Sequence, residues 1–228
     1  MIREDYIVSW IRRYVQALVE ILRLVKTEQY QGALQQIDAA LQTLLDLGPD
    51  SVLTLSEGQI MARLTLGEPT ILAREKCLML AALLEQLGIV GAAQNRLAES
   101  RDCYVKALHI VLGVEMRGEN HPAPDYAPPP ERLLERLGTA PLPPRTYGAL
   151  MLFHEQHGRF AKAEDALFAL LEAVPGNQDA LEMGLGFYER LGVLSDATLQ
   201  AGDLPRAEVE AGLAELRARA AARPPPAA

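Results

Sequence analysis

The sequence predicts an all-α protein built from antiparallel helical hairpins. Apolar residues recur at three- and four-residue spacings through almost every segment, which is the period of an amphipathic helix. No run of alternating β-branched residues is long enough to predict a strand. Aromatic residues make up only 5% of the chain, whereas leucine and alanine are abundant, and this composition favours close packing of helices.

The clearest hairpin is predicted at 146–174. A turn residue is followed by a small residue, two large apolar residues on the same helix face, and a proline: Gly158, Ala163, Leu167, Leu170 and Pro175. A glycine ends a helix without steric cost, the small side chain lets two helices cross closely, and the proline stops the second helix. This pattern has the spacing of a helical repeat of ~34 residues.

Weaker copies of the same turn occur at 30–33, 95–100 and 202–207. In order, we expect helices over 5–25, 29–46, 56–66, 70–92, 95–113, 131–137, 178–191 and 204–221, besides the hairpin at 146–174 and a short helix after Ser195. Ser56 and Ser195 each precede an acidic residue, as helix N-caps do. The alternative interpretation is an irregular helical bundle with alanine-rich contacts.

The centre of the chain interrupts this pattern, because 114–145 contains eight prolines. Proline-rich sequence resists helix and favours extended backbone. We therefore divide the chain into N-terminal hairpins at 1–113, a central segment at 114–145, C-terminal helices at 146–216 and a disordered tail at 217–228. The central segment is either a linker or an ordered strap, and its leucines at 133, 134 and 137 favour the strap.

Composition excludes several classes of function. The net charge is −8 and no basic stripe is present, which argues against nucleic-acid binding. We find neither a signal-peptide pattern nor a stretch of about 18 uncharged apolar residues, so we predict a cytoplasmic protein without a membrane span. Cys77 and Cys103 are interpreted as buried free thiols.

The hairpins resemble tetratricopeptide repeat (TPR) proteins. The whole chain also resembles an uncharacterised bacterial family of small TPR-like proteins, on the segments 1–6, 158–168 and 202–208. The resemblance implies a short superhelix of stacked hairpins and binding of a protein partner. The carboxylate clamp of TPR proteins needs lysine and asparagine on the inner helix faces, and we judge it absent here. The matching groove positions are mostly small or apolar: Ala82, Glu85, Ile89, Ala92, Ala93, Arg145, Leu152, Glu155 and Gln156.

Candidate chemistry is sparse. His154 and His157 are three residues apart, whereas a zincin helix needs a spacing of four, so we predict no metal site. No catalytic or phosphate-binding motif is found, and we predict no enzyme activity and no cofactor.

Tyr6, Trp10 and Tyr14 form an aromatic stripe on the first predicted helix, which is either intrachain core or an interface with a partner or a second copy. Three hypotheses for function remain. The chain is a scaffold that binds a protein or peptide partner or itself, a self-contained assembly or regulatory protein whose groove is filled by its own helix or strap, or an enzyme or small-ligand binder with a cavity between two lobes.

Overall fold

The computed structural model describes residues 2–117 and 122–221, and within them the protein is entirely helical, with no strand. The all-α prediction is confirmed. The first seven helices are α1 Ile2–Lys26, α2 Tyr30–Leu45, α3 Pro49–Thr54, α4 Glu57–Thr65, α5 Thr70–Ala93, α6 Leu97–Glu115 and α7 Pro130–Leu137. The remaining five are α8 Pro144–Gln156, α9 Phe160–Ala173, α10 Gln178–Gly192, α11 Asp196–Ala201 and α12 Arg206–Ala221. The chain divides into an N-terminal unit, 1–140, and a C-terminal unit, 141–228.

The α1–α2 hairpin opens the N-terminal unit. Its turn passes through Glu28, whose φ of 58° places it in the left-handed region. Leu24, Ala33 and Val90 form a buried cluster that joins this hairpin to α5. Burial of these side chains, and not helix propensity alone, holds α1 in place.

The α5–α6 hairpin forms the centre of the same unit, and a close approach of its two helices depends on small residues. A Cβ at Gly88 would lie 2.3 Å from the ring of Tyr104, so only glycine fits there. One turn away, the Ser100 hydroxyl donates a hydrogen bond of 2.7 Å to the Gly88 carbonyl. The turn between the helices uses Asn95 at φ 59°. These are the features that the repeat pattern predicts for a helical hairpin.

Two short helices connect the hairpins of the N-terminal unit. Helix α4 begins with a capping box, in which the Ser56 hydroxyl accepts from the Gln59 amide and the Gln59 side chain accepts from the Ser56 amide. Helix α3 was not predicted from sequence, because its Pro49 is compatible with a turn as well as with the first helical position. Its last carbonyls, those of Val52 and Leu53, accept hydrogen bonds from the buried ammonium of Lys106.

The proline-rich segment packs on the N-terminal unit. We call residues 122–137 the strap. Leu133 and Leu137 of α7 are buried, and the Pro122 carbonyl accepts a hydrogen bond of 3.1 Å from the Arg74 guanidinium. Most of the segment assigned to 114–145 therefore belongs to the N-terminal unit, as the apolar residues of α7 favour. Residues 114 and 115 continue α6 and residues 144 and 145 begin α8.

The C-terminal unit begins with the α8–α9 hairpin. Gly158 adopts φ 67° in its turn and Ala163 is fully buried, as the repeat pattern predicts. Glycines at later helix contacts leave no room for a side chain: a Cβ would lie 2.6 Å from Leu216 at Gly184, and 2.3 Å from Tyr188 at Gly212. Helix α12 continues through 217–221, which the sequence analysis assigns to the tail, and 222–228 lie outside the described residues.

Helix α5 is long and apolar enough to span a membrane by length and composition alone. However, 72% of the window that satisfies this criterion is buried inside the structure. The core helix of a globular unit has the same composition, so this property is weak evidence for a membrane span. The sequence analysis did not identify α5 as a candidate, because Glu85 interrupts its apolar residues.

Candidate groove of the N-terminal unit

A groove with a volume of about 800 Å³ opens on the N-terminal unit. One wall is formed by α1, the floor by α5, and the other wall by the strap. The groove is lined by Val15, Leu18, Val19, Leu22, Val25, Lys26, Ala82, Glu85, Gln86, Ile89, Asp125, Tyr126, Arg132 and Arg136. This combination of a broad apolar wall and a few polar groups is typical of binding sites.

The α1 wall exposes large aliphatic side chains. Val15, Val19 and Leu22 are 38%, 61% and 45% exposed, and their spacings of four and three place them on one face of the helix. The adjacent face of α1 carries fully buried residues such as Tyr14 and Ile21. Helix α1 therefore has apolar residues on two faces, one packed inside the unit and the other open to the groove.

The floor of the groove contains an ion pair between a buried and a partly exposed side chain. Glu85 of α5 is only 3% exposed, whereas the side chain of Arg132 of α7 is 43% exposed. The Arg132 Nη2 atom donates to Glu85 Oε2 at 2.9 Å, and Nε lies 2.7 Å from Oε1 without forming a hydrogen bond. The charge-assisted hydrogen bond holds the strap helix against α5, and the charge of Glu85 is compensated by Arg132.

Gln86 is the neighbour of Glu85 and also lines the groove. Its side chain is buried, and within the described residues its Oε1 atom has no hydrogen-bond partner. A buried amide oxygen without a donor is costly, by about 1–3 kcal/mol, and such groups are rare in folded proteins. This oxygen is enclosed by the chain and has no contact with solvent, so it lies beneath the surface of the groove.

Charges at the groove are unevenly distributed. Lys26 and Arg136 line the groove without an ion pair among the described residues, and Asp125 is the remaining acidic group besides Glu85. Arg136 also borders a smaller pocket of about 270 Å³ that contains Ala92. Since Ala92 lies near the C-terminal end of α5 and Val25 packs beside Val90, both unpaired cations lie toward that end.

The strap is fixed at the opposite end of the groove by two tyrosines. The Tyr126 hydroxyl donates to the Glu75 carboxylate, and its ring meets the Tyr14 ring edge-on with 5.2 Å between centroids. Tyr14 in turn donates to the Met79 carbonyl at 2.8 Å. Burial raises the pKa of Tyr14, and burial followed by the hydrogen bond to Glu75 raises the pKa of Tyr126, so both hydroxyls stay protonated as donors.

The groove residues predicted from sequence are distributed between the two units. Ala82, Glu85 and Ile89 line the groove described above, Ala92 lines the smaller pocket, and Ala93 is exposed near the end of α5. The others lie on or at the start of α8 in the C-terminal unit: Arg145, Leu152, Glu155 and Gln156. There, the Nε and Nη2 atoms of Arg190 donate to the two oxygens of the Glu155 carboxylate, at 2.6 and 2.8 Å.

The aromatic stripe of α1 is not a uniform surface. Tyr14 is fully buried within its own unit, Trp10 is half-buried, and the side chain of Tyr6 lies outside the described part of the chain. The exposed apolar wall is formed by different residues, which the sequence analysis missed. Val8, Val15 and Leu22 recur at seven-residue spacing, and this signal could have identified a second apolar face.

Both cysteines and His154 are buried, and His157 contacts the ring of Phe153. His154 is buried against the ring of Phe153, and the Nδ1 atom of His157 lies 2.7 Å from the Phe153 carbonyl. Burial raises the pKa of the Cys77 thiol to about 11 and that of Cys103 to about 12, which disfavours the reactive thiolate. Within the described residues, no group of three or more histidine, cysteine or acidic side chains could hold a metal ion.

Comparison with known proteins gives one match, a family model described as a family of unknown function (DUF6483), over residues 1–221. The chain belongs to this family. No curated protein and no solved structure matches it. The groove must therefore be interpreted from its own geometry and chemistry.

Proposed function

We propose that this DUF6483 protein is a non-enzymatic, TPR-like scaffold whose groove in the N-terminal unit binds a helix of another protein. The observation that carries the proposal is the α1 wall, where Val15, Val19 and Leu22 are exposed beside an open volume of about 800 Å³. Exposed apolar side chains that are contiguous, and not scattered, mark interaction surfaces.

The dimensions of the groove support a helical occupant. The apolar wall runs from Val15 to Val25, which is about 15 Å of helix at 1.5 Å per residue. This length matches about three turns of a bound helix, whose residues at i, i+3, i+4 and i+7 would contact the wall. The strap and α1 form the sides of the groove around this volume, which supports an open groove over a self-filled one.

The charge of α1 argues against a second copy of the chain as the occupant. Helix α1 carries five basic and three acidic residues, although the whole chain has a net charge of −8. Pairing α1 with its own copy would bring two basic helices together, which is unfavourable. We infer that the occupant is a different protein, bound in the cytoplasm and not on nucleic acid or a membrane surface, in keeping with the acidic composition.

A peptide-display selection tests the proposal. A library of random 18-residue peptides would be selected on the full chain, and enrichment compared with the Val19→Asp variant and with a control, Val193→Asp. Val193 is 85% exposed in the C-terminal unit, so the control adds the same charge far along the sequence. We expect helical, apolar-faced peptides to be enriched on the wild type and on the control, and lost on Val19→Asp.

Two results would contradict the proposal. One is a set of enriched peptides that bind Val19→Asp as well as the wild type. The other is a concentration-dependent dimer in sedimentation velocity that Val19→Asp dissociates, since that would make a second copy the occupant.

A further inference from the structure

The polar groups of the groove specify the chemistry of its occupant. This inference rests on the proposed function and asks which helix would be bound. Two observations bear on it: the cations Lys26 and Arg136 have no ion pair among the described residues, and the charge of Glu85 is compensated by Arg132.

The cations set the charge of the occupant. Glu85 and Arg132 cancel, which leaves Lys26 and Arg136 against the single carboxylate of Asp125. Both unpaired cations lie toward the C-terminal end of α5, where Ile89 also lines the groove. Charge complementarity at such a surface determines which partners associate and how fast.

We propose that the groove is specific for an acidic amphipathic helix. One end of its apolar face carries one or two carboxylates that pair with Arg136 and Lys26. The surface is thus a basic-ended apolar groove within an acidic protein, and it excludes basic amphipathic helices by repulsion at the same two cations.

The same peptide selection tests this inference through the composition of the recovered peptides. We expect Asp or Glu to be enriched at one end of the apolar stripe. The strongest acidic peptide would then be measured by fluorescence anisotropy against variants of the full chain. Arg136→Glu should weaken it roughly tenfold, since one attraction becomes a repulsion, and 0.5 M salt should remove most of this difference. Lys162→Glu, on the exposed surface of α9, is the matched charge control and should leave binding unchanged.

The outcomes separate the two proposals. If no peptide distinguishes the wild type from Val19→Asp, the proposed function fails. If peptides bind through the groove but are neutral or basic, or if Arg136→Glu binds the acidic peptide as tightly as the wild type, the function stands and the inference of an acidic occupant is overturned.

Discussion

The two units of this protein share a helical-hairpin plan but are stabilised by different means. In the N-terminal unit, four acidic or basic side chains are buried, namely Glu57, Arg74, Glu85 and Lys106, and several of their contacts join segments far apart in sequence. In the described C-terminal unit, no aspartate, glutamate, lysine or arginine side chain is buried. Its helices approach closely at glycines, as α5 and α6 also do at Gly88.

This difference has a physical basis. A buried charge is costly unless it is paired, so it is retained where a specific geometry must be held. In the N-terminal unit the buried charges hold irregular parts: Lys106 binds the end of α3, and Glu85 binds the strap. The C-terminal unit has no equivalent strap to hold, and tight packing of small residues suffices. One of these buried charges, Glu85, also lines the groove.

The largest expected effect tests the glycine packing of the C-terminal unit. At Gly202, a Cβ would lie 2.6 Å from the Gly158 carbonyl oxygen and 2.2 Å from the Phe160 ring. The backbone oxygen cannot move aside as a flexible side chain would. We expect Gly202→Ala to lower the stability of this unit by about 3 kcal/mol, measured as faster hydrogen exchange of Ala161, whose amide donates to the Gly202 carbonyl.

Gly192→Ala is the control, because nothing lies within 4 Å of the added Cβ and alanine favours helix. In the Gly192→Ala variant, hydrogen exchange of the Ala161 amide should be unchanged or slower. Equal destabilisation by the two substitutions would show that close approach at Gly202 is not what stabilises this unit.

The second-largest expected effect tests the buried charge of Lys106 in the N-terminal unit. Lys106→Met keeps the length of the side chain but removes the ammonium that donates to the Val52 and Leu53 carbonyls. We expect a loss of about 2 kcal/mol. Trp10 is the only tryptophan and lies in this unit, so denaturant unfolding followed by its fluorescence reports the change. Lys162→Met, at an exposed position, should shift the midpoint little; a similar midpoint for both variants would contradict the proposed role of Lys106.

The smallest effect concerns the two thiols of the α5–α6 hairpin. Burial raises the pKa of Cys77 to about 11 and that of Cys103 to about 12, from near 9. The unfolded chain therefore loses its thiol protons first as the pH rises. The free energy of unfolding should be unaffected by these groups below pH 9 and should decrease as the pH rises through 9 toward 12.

Thiol-reagent kinetics sharpen this prediction. At about pH 8 the native protein should react far more slowly than the unfolded protein, at a rate set by opening of the hairpin. Fast labelling of the native protein would mean that this hairpin opens readily.

The sequence predicted the hairpins well because their signals are local. Gly158 and Asn95 adopt the left-handed backbone that their turns require, and Ser56 forms the expected cap. The groove was predicted only in part. Ala82, Glu85 and Ile89 follow from the repeat register, but the pairing of Glu85 with Arg132 joins residues 47 apart, and no local pattern encodes it.

The sequence analysis did not identify the exposed aliphatic face of α1, for a related reason. Helical periodicity identifies apolar faces, but α1 has two of them, and periodicity does not tell which one the rest of the chain covers. Aromatic size favoured the stripe that includes Tyr14, which is buried, whereas the smaller valines at 15 and 19 remain open to the groove.

The distance along the chain between the two walls of the groove also has a consequence for biosynthesis. The wall of α1 is synthesised early, whereas Arg132 and Arg136 of α7 follow more than a hundred residues later. The hairpins close over short turns, but the strap must close a long loop, so it is expected to dock after them. Until α7 has left the ribosome, a nascent chain carries the apolar wall without its opposite side. The groove is therefore complete only when the N-terminal unit is complete, and a chain that stops before residue 137 would expose valines and leucines that chaperones bind.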